Sequence, residues 1–153
     1  MNPTNVGGIL ATGIAAGVLG ALALELTLWL ITRSGWAKGN MVVALGSFLT
    51  KSRADAWRVG VVVHTTAAVI YAISYTLLMM QVNLTTIPGA FGLGLGIGFV
   101  HGMVVSLGLV WVVAEHHPLQ EFRDAGLAIG VSHLAAHVAF GGTVGLVVGL
   151  APV

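Results

Sequence analysis

The stretch VGVVVHTTAAVIYAISYTLLMMQVNLTTIPGAFGLGLGIGFVHGMVVSLGLVWVVA, residues 59–114, contains no Lys, Arg, Asp or Glu. A helix rising 1.5 Å per residue needs about 20 mainly apolar residues to cross ~30 Å of hydrocarbon, so this run holds two crossings. Between them, Gln81 to Gly89 reads as a short turn closed by Pro88-Gly89. Residues 1–24 and 125–153 are also free of charge, and all eleven charged side chains fall within Glu25–Arg58 or Glu115–Asp124. The sequence therefore predicts an all-α polytopic membrane protein forming a single membrane domain over residues 1–153. Four transmembrane helices are expected at about 7–32, 59–80, 90–114 and 125–150, in an antiparallel bundle.

Composition agrees with this reading. Hydrophobic residues make up 57% of the chain and charged residues 7%, against ~25% charged in a soluble domain, and the mean hydropathy is +0.98. A net charge of +1 divided between two loops offers no clustered basic surface for nucleic acid. The absence of cysteine excludes disulfides and thiolate metal sites. Met1–Asn5 lacks the basic residues of a signal peptide, so the first apolar run is expected to remain as a helix.

Within the 33–58 connection, Met41–Thr50 is apolar but too short to span. It follows a candidate N-cap at Asn40 and sets Met41, Leu45, Phe48 and Leu49 on one helical face, which predicts a short interfacial helix or one packed on the bundle. Arg33, Lys38, Lys51, Arg53, Arg58 and Arg123 all fall on the side reached by the ends of helices one and three. By the positive-inside rule that side is cytoplasmic, and both termini are outside. Trp29, Trp36, Trp57 and Trp111 lie near the same boundary, where indoles anchor at headgroup level.

Glu25, His64, His101, His133 and His137 remain at membrane depth, where ionisable residues are costly and face the protein interior. Counting from the charged boundary gives two layers: Glu25, His64 and His133 about 8–12 Å deep, and His101 and His137 at roughly 18 Å. Small residues mark the faces on which membrane helices approach closely. Gly13, Gly17, Ala21 and Glu25 share one face of helix one, and His64 shares its face with Ala67, Ala68, Tyr71 and Ala72. Gly94, Gly98 and Gly102 form a ladder beside His101, and His133 and His137 line up with Gly141 and Gly145. The five groups are therefore expected to converge, with Tyr71 at the depth of His101 and His137.

His133-x-x-x-His137 presents two imidazoles on one helix face, and His64, His101 and Glu25 extend the set to an N/O site for iron, copper or zinc. His101 and His137, at equal depth on different helices, also suit the axial positions of a b-type haem, with Tyr71 as a supporting partner. Two alternatives compete: a proton or metal-ion path in which His and Glu relay charge, and polar packing in a non-catalytic structural or assembly subunit. Glycines at Gly13, Gly17, Gly145 and Gly149 exceed what one four-helix core needs, which favours binding a neighbouring membrane protein. Glu115-His116-His117 is read as solvated loop, since adjacent histidines diverge around a helix. The Gly92–Gly98 repeat lacks the strand, helix-opening position and lysine of a nucleotide loop and is read as helix packing.

The segments Leu45-Gly46-Ser47-Phe48-Leu49, Gly60-Val61-Val62-Val63-His64 followed by Tyr71 and Tyr75, Gly98-Phe99-Val100-His101-Gly102, and His133 through Gly141 resemble a family of small four-helix bacterial inner-membrane proteins of unknown function. Phe140 stands where the resemblance leads one to expect tyrosine. The resemblance implies a bacterial source and the four-helix topology, and no activity. The expectation carried forward is a bilayer-embedded subunit, without catalysis of its own, that holds a metal ion or haem within a larger membrane redox complex or a homo-oligomer.

Overall fold

The computed structural model describes residues 6–124 and 126–151, and every regular element in them is helical. Helix α1 runs Val6–Arg33, α2 Met41–Thr50, α3 Ala56–Gln81, α4 Gly89–His116 and α5 Leu127–Leu150. Four of them are long and apolar enough to cross a membrane, and α2 is the short helix between the first two spans. α4 passes through a π turn at Leu109–Val113, and a 3-10 turn at Gln120–Phe122 lies in the connection to α5. The bundle is antiparallel, with one charged end and one uncharged end.

Local chemistry fixes the short elements. Asn40 caps α2, its side chain accepting from the Val43 amide at 3.2 Å, and Lys51 stops the helix in the left-handed conformation at φ 56°. Asn83, a residue type that tolerates positive φ, ends α3 at φ 57°.

Helix order in space does not follow order in the chain. α5 is the most enclosed span; α4 packs along one side of it and α1 along another, and α3 packs along α1 and reaches α4 and α5 through a few side chains. α3 and α4, though joined by a short turn, meet only sparsely. Glycines explain the close contacts. A Cβ on Gly98 would lie 2.5 Å from the His137 carbonyl oxygen, and one on Gly102 2.9 Å from His137 Cβ. Gly94 faces Gly141 and Gly145 faces Ala90, so the α4 ladder and the α5 stripe interlock backbone to backbone. Gly13 and Gly17 seat on Ile73 and Val69 of α3, Gly20 on Phe140, and Gly149 on Ile87. The glycines expected to be surplus are thus used inside the bundle, which removes the reason for assigning them to a neighbouring protein.

α2 lies on the start of α3, where a Cβ on Gly46 would overlap the Ala56 carbonyl and one on Gly60 the Val42 carbonyl. Gly46 and Ser47 are its buried residues, while Leu49 is half exposed. Of the expected Met41, Leu45, Phe48, Leu49 face, Met41 and Leu45 turn over the polar layers and Phe48 packs on His117, while Leu49 alone is corrected to an outward position, because backbone proximity at two glycines sets the rotation of α2. Trp29, Trp36, Trp57 and Trp111 all face outward near the charged end, the first and third beneath the guanidinium groups of Arg33 and Arg58.

Candidate functional site

α4 brings His101 to α5 through its glycine ladder. The His101 and His137 rings meet edge to face with centroids 4.8 Å apart. His137 Nδ1 lies 2.7 Å from the His133 carbonyl oxygen and His133 Nδ1 2.8 Å from that of Ile129. A carbonyl only accepts, which puts the proton of each neutral ring on Nδ1 and leaves Nε2 with its lone pair. His101 Nδ1 is 2.9 Å from the hydroxyl of Tyr75, a buried residue. That hydroxyl has no other partner among the described residues, so it donates to Nδ1 and the His101 proton sits on Nε2. His101 thus offers an N–H and His137 a lone pair, and neither Nε2 has a hydrogen-bond partner among the described residues.

Tyr71, one turn before Tyr75, stacks on His101 at a centroid distance of 4.2 Å. Phe140, buried, stands edge-on to both Tyr75 and His101. Tyr71, His101 and Phe140 line a cavity of about 130 Å³ together with His64 and His137, with Met41 and Leu45 of α2 over its charged-end side.

The shallower layer joins α1 to α3. Glu25 Oε1 is 3.2 Å from His64 Nδ1, but the ring N–H is not aligned with it, and this buried oxygen makes no hydrogen bond among the described residues. His133 lies in the same layer with its Nδ1 engaged as described. Glu25 and His64 also border a lipid-side groove of about 200 Å³ between α1 and α3.

The structure thus brings Glu25 to His64, and His101 to His137. Among the described residues it does not draw three His, Asp or Glu side chains around one point suited to a metal ion. A haem ligated on both faces needs a flat macrocycle between its imidazoles. Rings in edge-to-face contact beside 130 Å³, below the ~300–1,000 Å³ of a typical small-molecule pocket, leave no room for one.

Three residues escape the sequence reading. Tyr75 takes the hydrogen-bonding role considered for Tyr71; the signal was its position one turn along the same face of α3. Phe140 forms the floor beside it. His117 is the third, and its expected solvation is corrected: the residue is fully buried. Its Nδ1 accepts from the Leu119 amide at 3.1 Å and its Nε2 donates to the Ala44 carbonyl at 3.0 Å, between the rings of Phe48 and Phe122. Arg123 donates to the His117 carbonyl at 2.7 Å, and Arg53 pairs with Glu121, so the 115–124 loop fastens α2 over the site. His116 is exposed, as expected of its neighbour as well.

Comparison with protein-family models, curated proteins and solved structures gives no match. What holds of the expected resemblance is the architecture, a small membrane protein of four long apolar helices.

Proposed function

We propose that this integral membrane protein holds one transition-metal ion between His101 and His137, and serves as a small non-catalytic subunit of a larger membrane redox system. The carrying observation is that two imidazoles from different helices line one cavity with each Nδ1 already bonded and each Nε2 unpartnered. Metal-bound histidine characteristically has its second nitrogen fixed in this way, by a carbonyl or another polar group. With His101 in its other tautomer both Nε2 atoms are ligands, and imidazole suits copper, iron and zinc. His64, on the same cavity, is a candidate for a third ligand. Six of six Lys and Arg residues at one end favour a bacterial inner-membrane orientation with that end cytoplasmic and both termini outside.

The rival readings have weaker support. A translocation path needs polar groups on both sides of the midplane. Toward the uncharged end the interior is filled by Met79, Val144 and Val148, and the hydroxyl of Thr76 is taken by the Ala72 carbonyl. The assembly reading rested on surplus glycine faces, which the bundle uses itself.

Purified protein, gently extracted, is expected to carry copper, iron or zinc near one equivalent by elemental analysis. His101→Ala and His137→Ala should each remove it, while His116→Ala should not. Wild-type protein that is folded but metal-free, and refuses added Cu(I), Fe(II) and Zn(II), would return the histidines to polar packing.

A further inference from the structure

The seam between α3 and α4 is the loosest in the bundle, and the reason lies in α4. Its glycine ladder of Gly94, Gly98 and Gly102 is taken by α5, so α3 meets bulkier residues and brings Tyr71 and Tyr75 to them. The histidine cavity lies at this seam, bordered by Ala67 and Tyr71 on α3 and by His101 and Val105 on α4. α2 covers its charged-end side, and Tyr75, Phe140 and Met79 fill the interior toward the other end. Tyr71 is 46% exposed, and its hydroxyl has no partner among the described residues, an arrangement that is costly against hydrocarbon.

We infer that the α3–α4 seam is a lateral entrance from the bilayer to a binding site for a neutral, lipid-soluble ring compound bearing hydroxyl or carbonyl oxygens, the chemical class of membrane quinones and quinols. Depth and charge select this class. The cavity reaches from the layer of His64, about 8–12 Å below the charged boundary, to that of His101 and His137 at roughly 18 Å, and Lys, Arg, Asp and Glu are absent from its lining. An anionic headgroup would find no cation there. A ring finds Tyr71, His101 and Phe140 to stack on. Its oxygens find a donor at His101 Nε2, an acceptor at His137 Nε2 and the free hydroxyl of Tyr71. A tail leaves between Ala67 and Val105 into lipid. The site is the one assigned to the metal, but this inference rests on the seam and the lining and does not require a metal.

The test uses full-length protein in lipid nanodiscs and a decyl-benzoquinone carrying a diazirine on its tail, with a headless diazirine alkane as control. Photolabelling followed by peptide mapping should concentrate on α3 and α4 flanking the seam. Excess unmodified decyl-benzoquinone should compete it. Ala67→Phe or Val105→Phe, which close the seam from opposite sides, should each lower labelling about tenfold, whereas Val104→Phe on the outer face of α4 should not. Thermal unfolding of each variant identifies misfolding, and the competition on wild-type protein stands without any variant. Equal seam labelling by the headless alkane, or labelling spread evenly over all lipid-facing surfaces, overturns the inference. Metal content measured on the same samples separates the two claims: competed labelling of metal-free protein would sink the metal and keep the entrance, and metal retained without competed labelling would do the reverse.

Discussion

Two helix pairs in this bundle are joined by short connections and yet differ in kind. α4 and α5 press together backbone to backbone over Gly94, Gly98, Gly102, Gly141 and Gly145, whereas α3 and α4 touch through a few rings around His101. Lipid tails are as apolar as Leu, so burial cannot draw membrane helices together, and close packing must come from small residues and interhelical hydrogen bonds. The first pair has the small residues. The second has the hydrogen bond from Tyr75, and the space left over becomes the cavity. In this chain the polar groups collect where packing is poor beside the place where it is best.

The largest effect should come from forcing the tight pair apart. Gly98→Leu sets a side chain against the His137 and Gly141 backbone, which cannot yield as a flexible side chain would, so the loss should exceed the ~1–3 kcal/mol of ordinary overpacking. Thermal unfolding in detergent should fall sharply. Gly96→Leu, two residues away with open space where its Cβ would stand, should leave the midpoint nearly unchanged. Similar midpoints for the two would mean that the α4–α5 contact is not the organising one.

Next in size is the fastening of α2. His117→Ala leaves the Ala44 carbonyl and the Leu119 amide without their partner, at roughly 1–3 kcal/mol each. Tryptic cleavage after Lys51 and Arg53 should accelerate as α2 lifts. His116→Ala removes only an exposed bond to the Val112 carbonyl and should cleave like wild type. Equal cleavage rates in both variants would separate α2 from the loop.

Smaller still is the contrast between the two tyrosines of the open seam. Tyr75→Phe deletes a buried donor and orphans His101 Nδ1, costing about 1–2 kcal/mol in thermal or denaturant unfolding. Tyr71→Phe keeps the stacked ring and loses only an unpartnered hydroxyl, so it should be neutral within ~0.5 kcal/mol. The smallest change is expected of Glu25→Gln. The unaligned contact with His64 predicts less than ~1 kcal/mol, and a larger loss would mean that the pair forms a true hydrogen bond.

Much of the fold was legible because charge is so expensive in a bilayer that its absence outlines each span. The expected 59–80 against the observed Ala56–Gln81, and 90–114 against Gly89–His116, differ only at the ends, where the helices run on into the charged margins. The turn of His64, His133 and His137 toward the interior was legible for the same reason. Adjacency was not, because it is decided by which glycine face meets which, and a ladder such as Gly94, Gly98, Gly102 does not say which helix will take it. The outward turn of Leu49 escaped because apolar periodicity grouped it with Met41, Leu45 and Phe48, while the closest contact of α2 was made by Gly46. His117 escaped because a histidine in a charged loop looks solvated until Ala44, distant in sequence, arrives to accept its proton.

The central position of α5 bears on how the protein is made. α1 and α3 can pair through Gly13 and Gly17 as soon as both are inserted, but the glycine ladder of α4 has no partner until α5, the last of the four spans, follows it. At ~5–20 residues per second of synthesis, the approximately 35 residues from the end of α4 to the end of α5 leave that ladder bare for roughly 2–7 s. During this interval the nascent chain presents its most adhesive surface to every other helix near the insertion machinery, so fidelity of assembly depends on how promptly α5 arrives.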